Sequence, residues 1–299
     1  MSAAAERLAQ RVPAPRGGRG RRRWTRFVLP IYTGAVIFYL TSPILVMILF
    51  GFNDTKGRFN LSWQGFTIEW YKHLLDIPDL TSSLKNSLMI AAFSTVAATI
   101  LGTMIALALA RHRFRGQSTT NLILFMNIAA PEIVLGASLL AIFITLQVPL
   151  GFLTIFLAHV MFNVAYVAVT VRARLAGMDM ALEEAAQDLG ATPWVTFWKV
   201  TLPLIFPGVL AGALLAFALS IDDYVITSFV SGQTVTFPLW VYGASRLGIP
   251  PQVNVMGTLL FLAGVLLALG NILLNRRSGA GGRAVVPETE EELTLGRAA

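Results

Sequence analysis

The sequence predicts an all-α, polytopic membrane protein. Of its 299 residues, 55% are hydrophobic and 13% charged, and the mean hydropathy is +0.67. A soluble domain of that length exposes far more charge. The apolar residues also gather into runs long enough to cross a bilayer as helices, which takes about 20 residues. Barrel strands would instead be about 10 residues long with alternating polarity. Six runs qualify, at about 27–51, 87–109, 122–146, 152–171, 202–230 and 255–274.

Residues 1–26 are rich in Ala, Arg, Gly and Pro and carry eight arginines from Arg7 to Arg26. The composition predicts a disordered basic tail lying against anionic lipid. The run at 27–51 is too long for a signal-peptide core and no small-residue cleavage site follows it, so it reads as an uncleaved first span. The segment 52–86 holds Trp63, Trp70 and Tyr71, aromatics suited to a membrane interface. After the second run come Arg111, Arg113 and Arg115, and after the fourth come Arg172, Arg174 and Lys199. The C-terminal segment carries Arg276, Arg277, Arg283 and Arg297. The opposite faces hold Lys56, Arg58, Lys72, Lys85 and Arg246. Basic residues collect on the cytoplasmic side, so both termini are expected inside. The net charge of +7 records this bias. With no soluble domain to carry a nucleic-acid surface, no such partner is expected.

The short loop 147–151 makes a tight hairpin of the third and fourth spans. The fifth run is longer than a span needs and is interrupted by Asp222-Asp223. Within 231–254, Gly and Pro bracket a stretch, 237–247, that can form a short helix on or in the membrane. The chain therefore divides into a basic tail (1–26), a membrane domain (27–275) whose longest polar interruption is 172–201, and a polar tail (276–299). Cysteine is absent, which excludes disulfides and thiolate metal sites. No G-x-x-x-x-G-K-[ST] pattern is present to cradle ATP phosphates. No nucleophile–base or metal constellation falls in a plausible pocket, and no catalytic residue is assigned.

The segment 172–201 carries the most specific pattern. Asp179 can cap a helix whose first turns contain Glu183 and Glu184, where carboxylates suit the positive helix end. Ala181, Leu182, Ala185, Ala186 and Leu189 recur at helical spacing as one small apolar face, with Glu183, Gln187 and Asp188 turned away from it. Gly190 suits a left-handed helix end. Thr192 and Pro193 then read as the N-cap and first residue of a second helix bearing Trp194, Phe197 and Trp198. Physics alone describes an amphipathic hairpin between two spans.

The pattern Glu184-Ala185-Ala186, three residues, Gly190, nine residues, Val200-Thr201-Leu202-Pro203 resembles the "EAA" loop of permease subunits of binding-protein-dependent ABC importers. Val200 stands where that motif has Ile. Leu84-Lys85-Asn86-Ser87-Leu88, Pro131-Glu132-Ile133-Val134, Asp222-Asp223-Tyr224-Val225-Ile226 with Ser231-Gly232, and Pro251-Gln252-Val253-Asn254 look like the spermidine/putrescine permeases, specifically the second of such a pair. The likeness covers roughly residues 30–275.

That resemblance implies a six-span type I importer permease of the MetI-like fold in the bacterial cytoplasmic membrane. Its implied partners are a second permease, an ATPase dimer holding ATP and magnesium, and an extracytoplasmic solute-binding protein. Glu183, Glu184, Ala185, Ala186, Asp188, Gly190 and Thr192 would then couple it to the ATPase. Importers of iron, sulfate or phosphonates share parts of these motifs, and an ion-gradient transporter is the rival from another class.

Glu132 lies about ten residues into the third run, roughly 15 Å deep if the helix is continuous, and Pro131 beside it can kink that span. An ionised carboxylate so placed should face a cavity or partner, or be held protonated by burial. Asp222 and Asp223, followed by Tyr224, lie roughly 30 Å along the fifth run. A polyamine could meet these acids first and Glu132 deeper. Alternatively, one aspartate caps a helix or pairs with an arginine of another subunit. His159 and Asn163, four apart, are expected to bond between helices rather than to hold metal.

Overall fold

The computed structural model describes residues 21–279, apart from 58, and the side chains of 27–270. The basic tail expected before residue 21 and the polar tail after 279, with its Glu288–Glu292 acidic cluster, lie outside the described residues. Twelve α-helices follow one another: α1 (Arg21–Phe50), α2 (Glu69–Lys72), α3 (Pro78–Arg111), α4 (Gln117–Ala129), α5 (Glu132–Thr145), α6 (Phe152–Ala176), α7 (Ala181–Asp188), α8 (Pro193–Thr196), α9 (Leu202–Asp222), α10 (Val225–Val230), α11 (Phe237–Ala244) and α12 (Pro251–Gly279). The only β pairing among the described residues is one bridge, Asn53 with Phe66.

Five of these segments are long and apolar enough to cross a membrane, and α4 with α5 can supply a sixth. The first starts at Arg21, inside the segment expected to be disordered, and the last runs to Gly279, past the expected boundary at 275. The second starts at Pro78, nine residues before the apolar run. Pro78 stands where a missing N–H costs nothing, and Asp79 follows at the positive end of the helix.

The core is the packing of α3, α6 and α9. On α9 the buried residues are Ile205, Gly208, Gly212, Ala216 and Ser220, a stripe of mostly small side chains at steps of three and four. On α3 the stripe runs Ser87, Ala91, Ser94, Ala98, Gly102 and Ala106. Lipid offers no hydrophobic drive for helix association, so close backbone approach must supply the attraction. Gly102 demonstrates it: a Cβ there would lie 2.7 Å from Val167 Cβ and 3.0 Å from the Ala168 nitrogen on α6.

Two spans are broken. Between α4 and α5 the direction changes by 110°. Pro131 forces Ala130 out of the helical region, to φ −70 and ψ 138, and supplies no N–H of its own. The sequence suggested a kink; the structure has two half-helices, so a depth for Glu132 counted along one straight helix does not hold. The fifth run breaks at Asp223, whose backbone is extended (φ −63, ψ 119), and resumes as α10. The two restarted pieces, α5 and α10, pack together so closely that a Cβ on Gly136 would meet the Phe229 ring at 2.5 Å.

The segment before α3 is organised by buried Asn53. Its side chain donates to Asn60 Oδ1 at 2.6 Å and to the Ser62 carbonyl at 2.7 Å, and its own carbonyl accepts from the Trp70 indole at 2.8 Å. Asn86 and Ser87 hold the segment before α11: Asn86 donates to the Val235 carbonyl and the Phe237 N–H donates to Ser87, both at 2.9 Å. The short helix expected in 237–247 is α11.

Candidate functional site

The hairpin formed by α7 and α8 matches its sequence reading at both ends. Asp179 Oδ1 accepts from the Ala181 N–H at 3.0 Å, which starts α7. Gly190 has φ +88. Its N–H reaches the Gln187 carbonyl at 2.8 Å while the Ala191 N–H reaches that of Ala186 at 3.1 Å. This bond pair is the Schellman ending, which needs a left-handed residue where Gly190 stands. Thr192 Oγ1 accepts from the Val195 N–H at 3.4 Å and Pro193 follows, so α8 begins at once. Residues Phe197–Thr201 form a π turn that leads into Pro203.

The orientation of α7 departs from expectation. Within Ala181–Asp188 only Glu183 and Ala186 are half-buried; Leu182, Glu184, Ala185 and Asp188 are exposed, as is Leu189 (91%). Glu183, expected to face outward with Gln187 and Asp188, points into the protein. Its Oε1 accepts from Arg111 Nη2 and from Thr201 Oγ1, both at 2.6 Å. The charge is turned inward because a guanidinium waits there, and the apolar arc is left open. Trp194 and Trp198 on the second arm, 69% and 51% exposed, extend it with rings 5.6 Å apart. Exposed apolar surface of this kind marks a place that meets another protein or the membrane.

The acidic residues gather at the two helix breaks. Glu132 opens α5 and is exposed, and Asp222 ends α9 and is exposed. Asp222 is within electrostatic reach of both Asp223 and Glu132. Asp223 is different: it accepts from the Ile226 N–H at 3.3 Å, the Thr227 N–H at 2.8 Å and the Thr227 hydroxyl at 2.6 Å. It is therefore the cap of α10, one of the roles open from the sequence, and its side chain is 6% exposed. Tyr224 packs against Tyr242, ring centroids 4.6 Å apart and planes tilted by 38°, and Arg246 lies over Tyr242 at 5.2 Å.

Behind Asp223 runs a buried chain of hydrogen bonds. Thr227 joins His159 Nε2 at 2.9 Å, His159 Nδ1 joins Ser220 at 2.6 Å, and Ser220 joins Ser94 at 3.0 Å. The carboxylate can only accept, and His159 Nε2 also lies 3.3 Å from Asp223 Oδ2. Thr227 gives its proton to Asp223 and so accepts from His159 Nε2–H. Ser94 Oγ also donates to the Ala91 carbonyl at 3.3 Å. The bonds tie α3, α6, α9 and α10 at one level. His159 thus bonds between helices, as its position suggested, whereas Asn163 has no hydrogen-bond partner among the described residues.

Sequence reasoning missed Arg111, Thr201, Ser94, Ser220, Tyr242 and Arg246. Arg111 is 72 residues from Glu183, and no local pattern links them. The signal for the buried chain was present, in small hydroxyls recurring on the packed stripes.

Comparison with known proteins gives three kinds of likeness. A family described as "Binding-protein-dependent transport system inner membrane component" matches residues 98–277. The spermidine/putrescine transport system permease protein PotC of Escherichia coli (strain K12) is 39% identical over 248 residues, 83% of this chain and 93% of its own. The putrescine transport system permease protein PotI of the same strain is 42% identical over 230 residues, 74% of this chain and 81% of its own. A solved chain of a bacterial alginate ABC transporter, in complex with an alginate pentasaccharide-bound periplasmic protein, shares the fold. Its TM-score is 0.62 at 16% identity, covering 86% of this chain and 96% of that one.

Proposed function

We infer the role of this chain from its membership: it belongs to the family of inner membrane components of binding-protein-dependent transport systems. As such it is a permease subunit of an importer. We propose that its solute is a polyamine of the spermidine or putrescine class, and that it works with a second permease, an ATPase dimer holding ATP and magnesium, and an extracytoplasmic binding protein. Both termini and the α7–α8 hairpin lie on the cytoplasmic side in this reading, because the arginines at the ends of α3 and α6 share the end that carries the hairpin.

The observation that carries the solute assignment is the meeting of the two broken spans. Exposed Glu132 and Asp222 come within electrostatic reach there, and Tyr224 follows two residues after Asp222. Charges in a low-dielectric route act far more strongly than in water, so two acids suit a flexible polycation, and the open side of the Tyr224 ring can meet an ammonium group. Asp223 contributes by fixing the break, not by meeting the solute. At the other end, exposed Glu184, Ala185, Asp188 and Leu189, with Gly190 and Thr192 setting the turn, form the surface offered to the ATPase. ATP drives switching because it binds the closed ATPase pair better than the open one, and only such a difference can shift the permease between outward- and inward-facing states.

The test is uptake of radiolabelled spermidine and putrescine by vesicles carrying the complete complex. ATP-dependent uptake should fall strongly in Asp222→Asn and further when Glu132→Gln is added, with the complex intact. Native uptake by the double variant would reject the acidic path.

A further inference from the structure

We propose that Glu183 is a positioning residue: it ties the hairpin to the two spans that the hairpin must move, and it does not touch the ATPase. The proposal rests on the hairpin being the ATPase-coupling element. One carboxylate oxygen, Oε1, accepts from Arg111 Nη2 and from Thr201 Oγ1, each at 2.6 Å. Arg111 is the last residue of α3. Thr201 is the last residue of the π turn that enters α9. One side chain of α7 therefore joins the ends of two core helices, 72 and 18 residues away in sequence.

Three physical features make this a mechanical tie rather than a surface ion pair. The Arg111 and Glu183 side chains are 11% and 15% exposed, so water does not compete for the bond, and charge-assisted bonds of this kind are among the strong ones. The remaining Arg111 contact is weak, with Met178 Sδ at 3.9 Å, and the buried Arg111 Nε has no partner. The guanidinium thus depends on Glu183 for its place. Finally, α7 is otherwise attached by turns: residues 177–180 lead in, and left-handed Gly190 leads out. Beyond the bridge, its packing is against the second arm of its own hairpin. The second arm runs through the π turn into α9 as one stretch, Pro193–Asp222, so α7 reaches α9 through its hairpin partner and reaches α3 through Arg111. With the bridge in place, a displacement of α7 pulls α3 and α9 together. The π turn belongs to the same device, because its wider winding re-aims Thr201 just before Pro203 interrupts the backbone bonding.

The complete complex, with its own ATPase and binding protein in vesicles, is the system to test. Glu183→Gln and Arg111→Gln should keep the ATPase bound at native stoichiometry and keep ATP hydrolysis. Solute moved per ATP should fall about tenfold, the effect of about 1.4 kcal/mol on the balance of states. The double variant should be no worse than either single one, because both remove one bond. Thr201→Val, which leaves the charge pair intact, should give a smaller fall and provides the test if the charge variants do not assemble. A native ratio of solute to ATP in Glu183→Gln, or in Thr201→Val should the former not assemble, would overturn the proposal. So would loss of the ATPase from Glu183→Gln to the extent seen on altering exposed Ala185. If the native complex purified without any ATPase, the coupling reading of the hairpin itself would fall, a result distinct from these.

Discussion

The two adjacent aspartates should respond oppositely to mutation. Replacing Asp223 by Ala removes the acceptor of two backbone N–H groups at the start of α10 and of the Thr227 hydroxyl. Loss of a cap costs about 1 kcal/mol. Thr227 is fully buried, so its N–H is left without water as a substitute, which adds about 1–3 kcal/mol. The sum is about 2–4 kcal/mol. With roughly 2–4 °C per kcal/mol for a chain of this size, the thermal midpoint should fall by about 5–15 °C. Asp223→Asn should lose much less, because Asn caps about as well as Asp. Asp222→Ala alters an exposed side chain and should stay within about 0.5 kcal/mol, yet it should be the variant that loses transport. The assay is the fraction of monodisperse protein left after heating in detergent, set beside uptake in vesicles. Equal midpoints for Asp222→Ala and Asp223→Ala, or an Asp223→Asn variant as unstable as Asp223→Ala, would refute the division of roles.

Gly190→Val should unravel the hairpin turn, since a β-branched residue at φ +88 costs about 1–2 kcal/mol or more; co-purified ATPase should drop while the permease still inserts. Gly102→Val should prevent α3 from seating on α6, because its Cβ would meet Val167 and the Ala168 backbone, and overpacking of about 1–3 kcal/mol or more should appear as aggregation in size-exclusion chromatography. Tyr224→Leu should lower polyamine uptake while Tyr224→Phe keeps most of it, measured in the same vesicles, if the ring face is what the solute meets. Because the chain has no native cysteine, single cysteines at Trp63 and Glu184 can be labelled without background; an impermeant reagent should reach position 63 and not 184 in intact cells.

The spans were legible because bilayer thickness imposes a length that hydropathy reveals directly. The hairpin was legible because helix ends are local: Asp179, Gly190, Thr192 and Pro193 each act on their own neighbours. The start of α3 was not, because Ser82, Ser83 and Asn86 fell outside the apolar run, whereas Asn86 bonds to the Val235 carbonyl far along the chain. The facing of α7 was misread for a related reason. An apolar arc ordinarily points inward, but in a subunit designed for assembly that arc can be the exposed side, and the inward residue is decided by Arg111, which no local pattern couples to it. Pro131 announced a disturbance without its size, since a proline fixes where a helix fails and the packing of α5 against α10 sets the angle of the restart.

The first helix has a consequence of another kind. The membrane-spanning part of α1 buries none of its side chains within this chain, its main neighbour is α12, and the family match begins only at residue 98. Its surface is left open to whatever surrounds the chain in the membrane. A helix that leans on one neighbour and sends no side chain into the core can have its outer faces rewritten at little cost to the three helices it flanks.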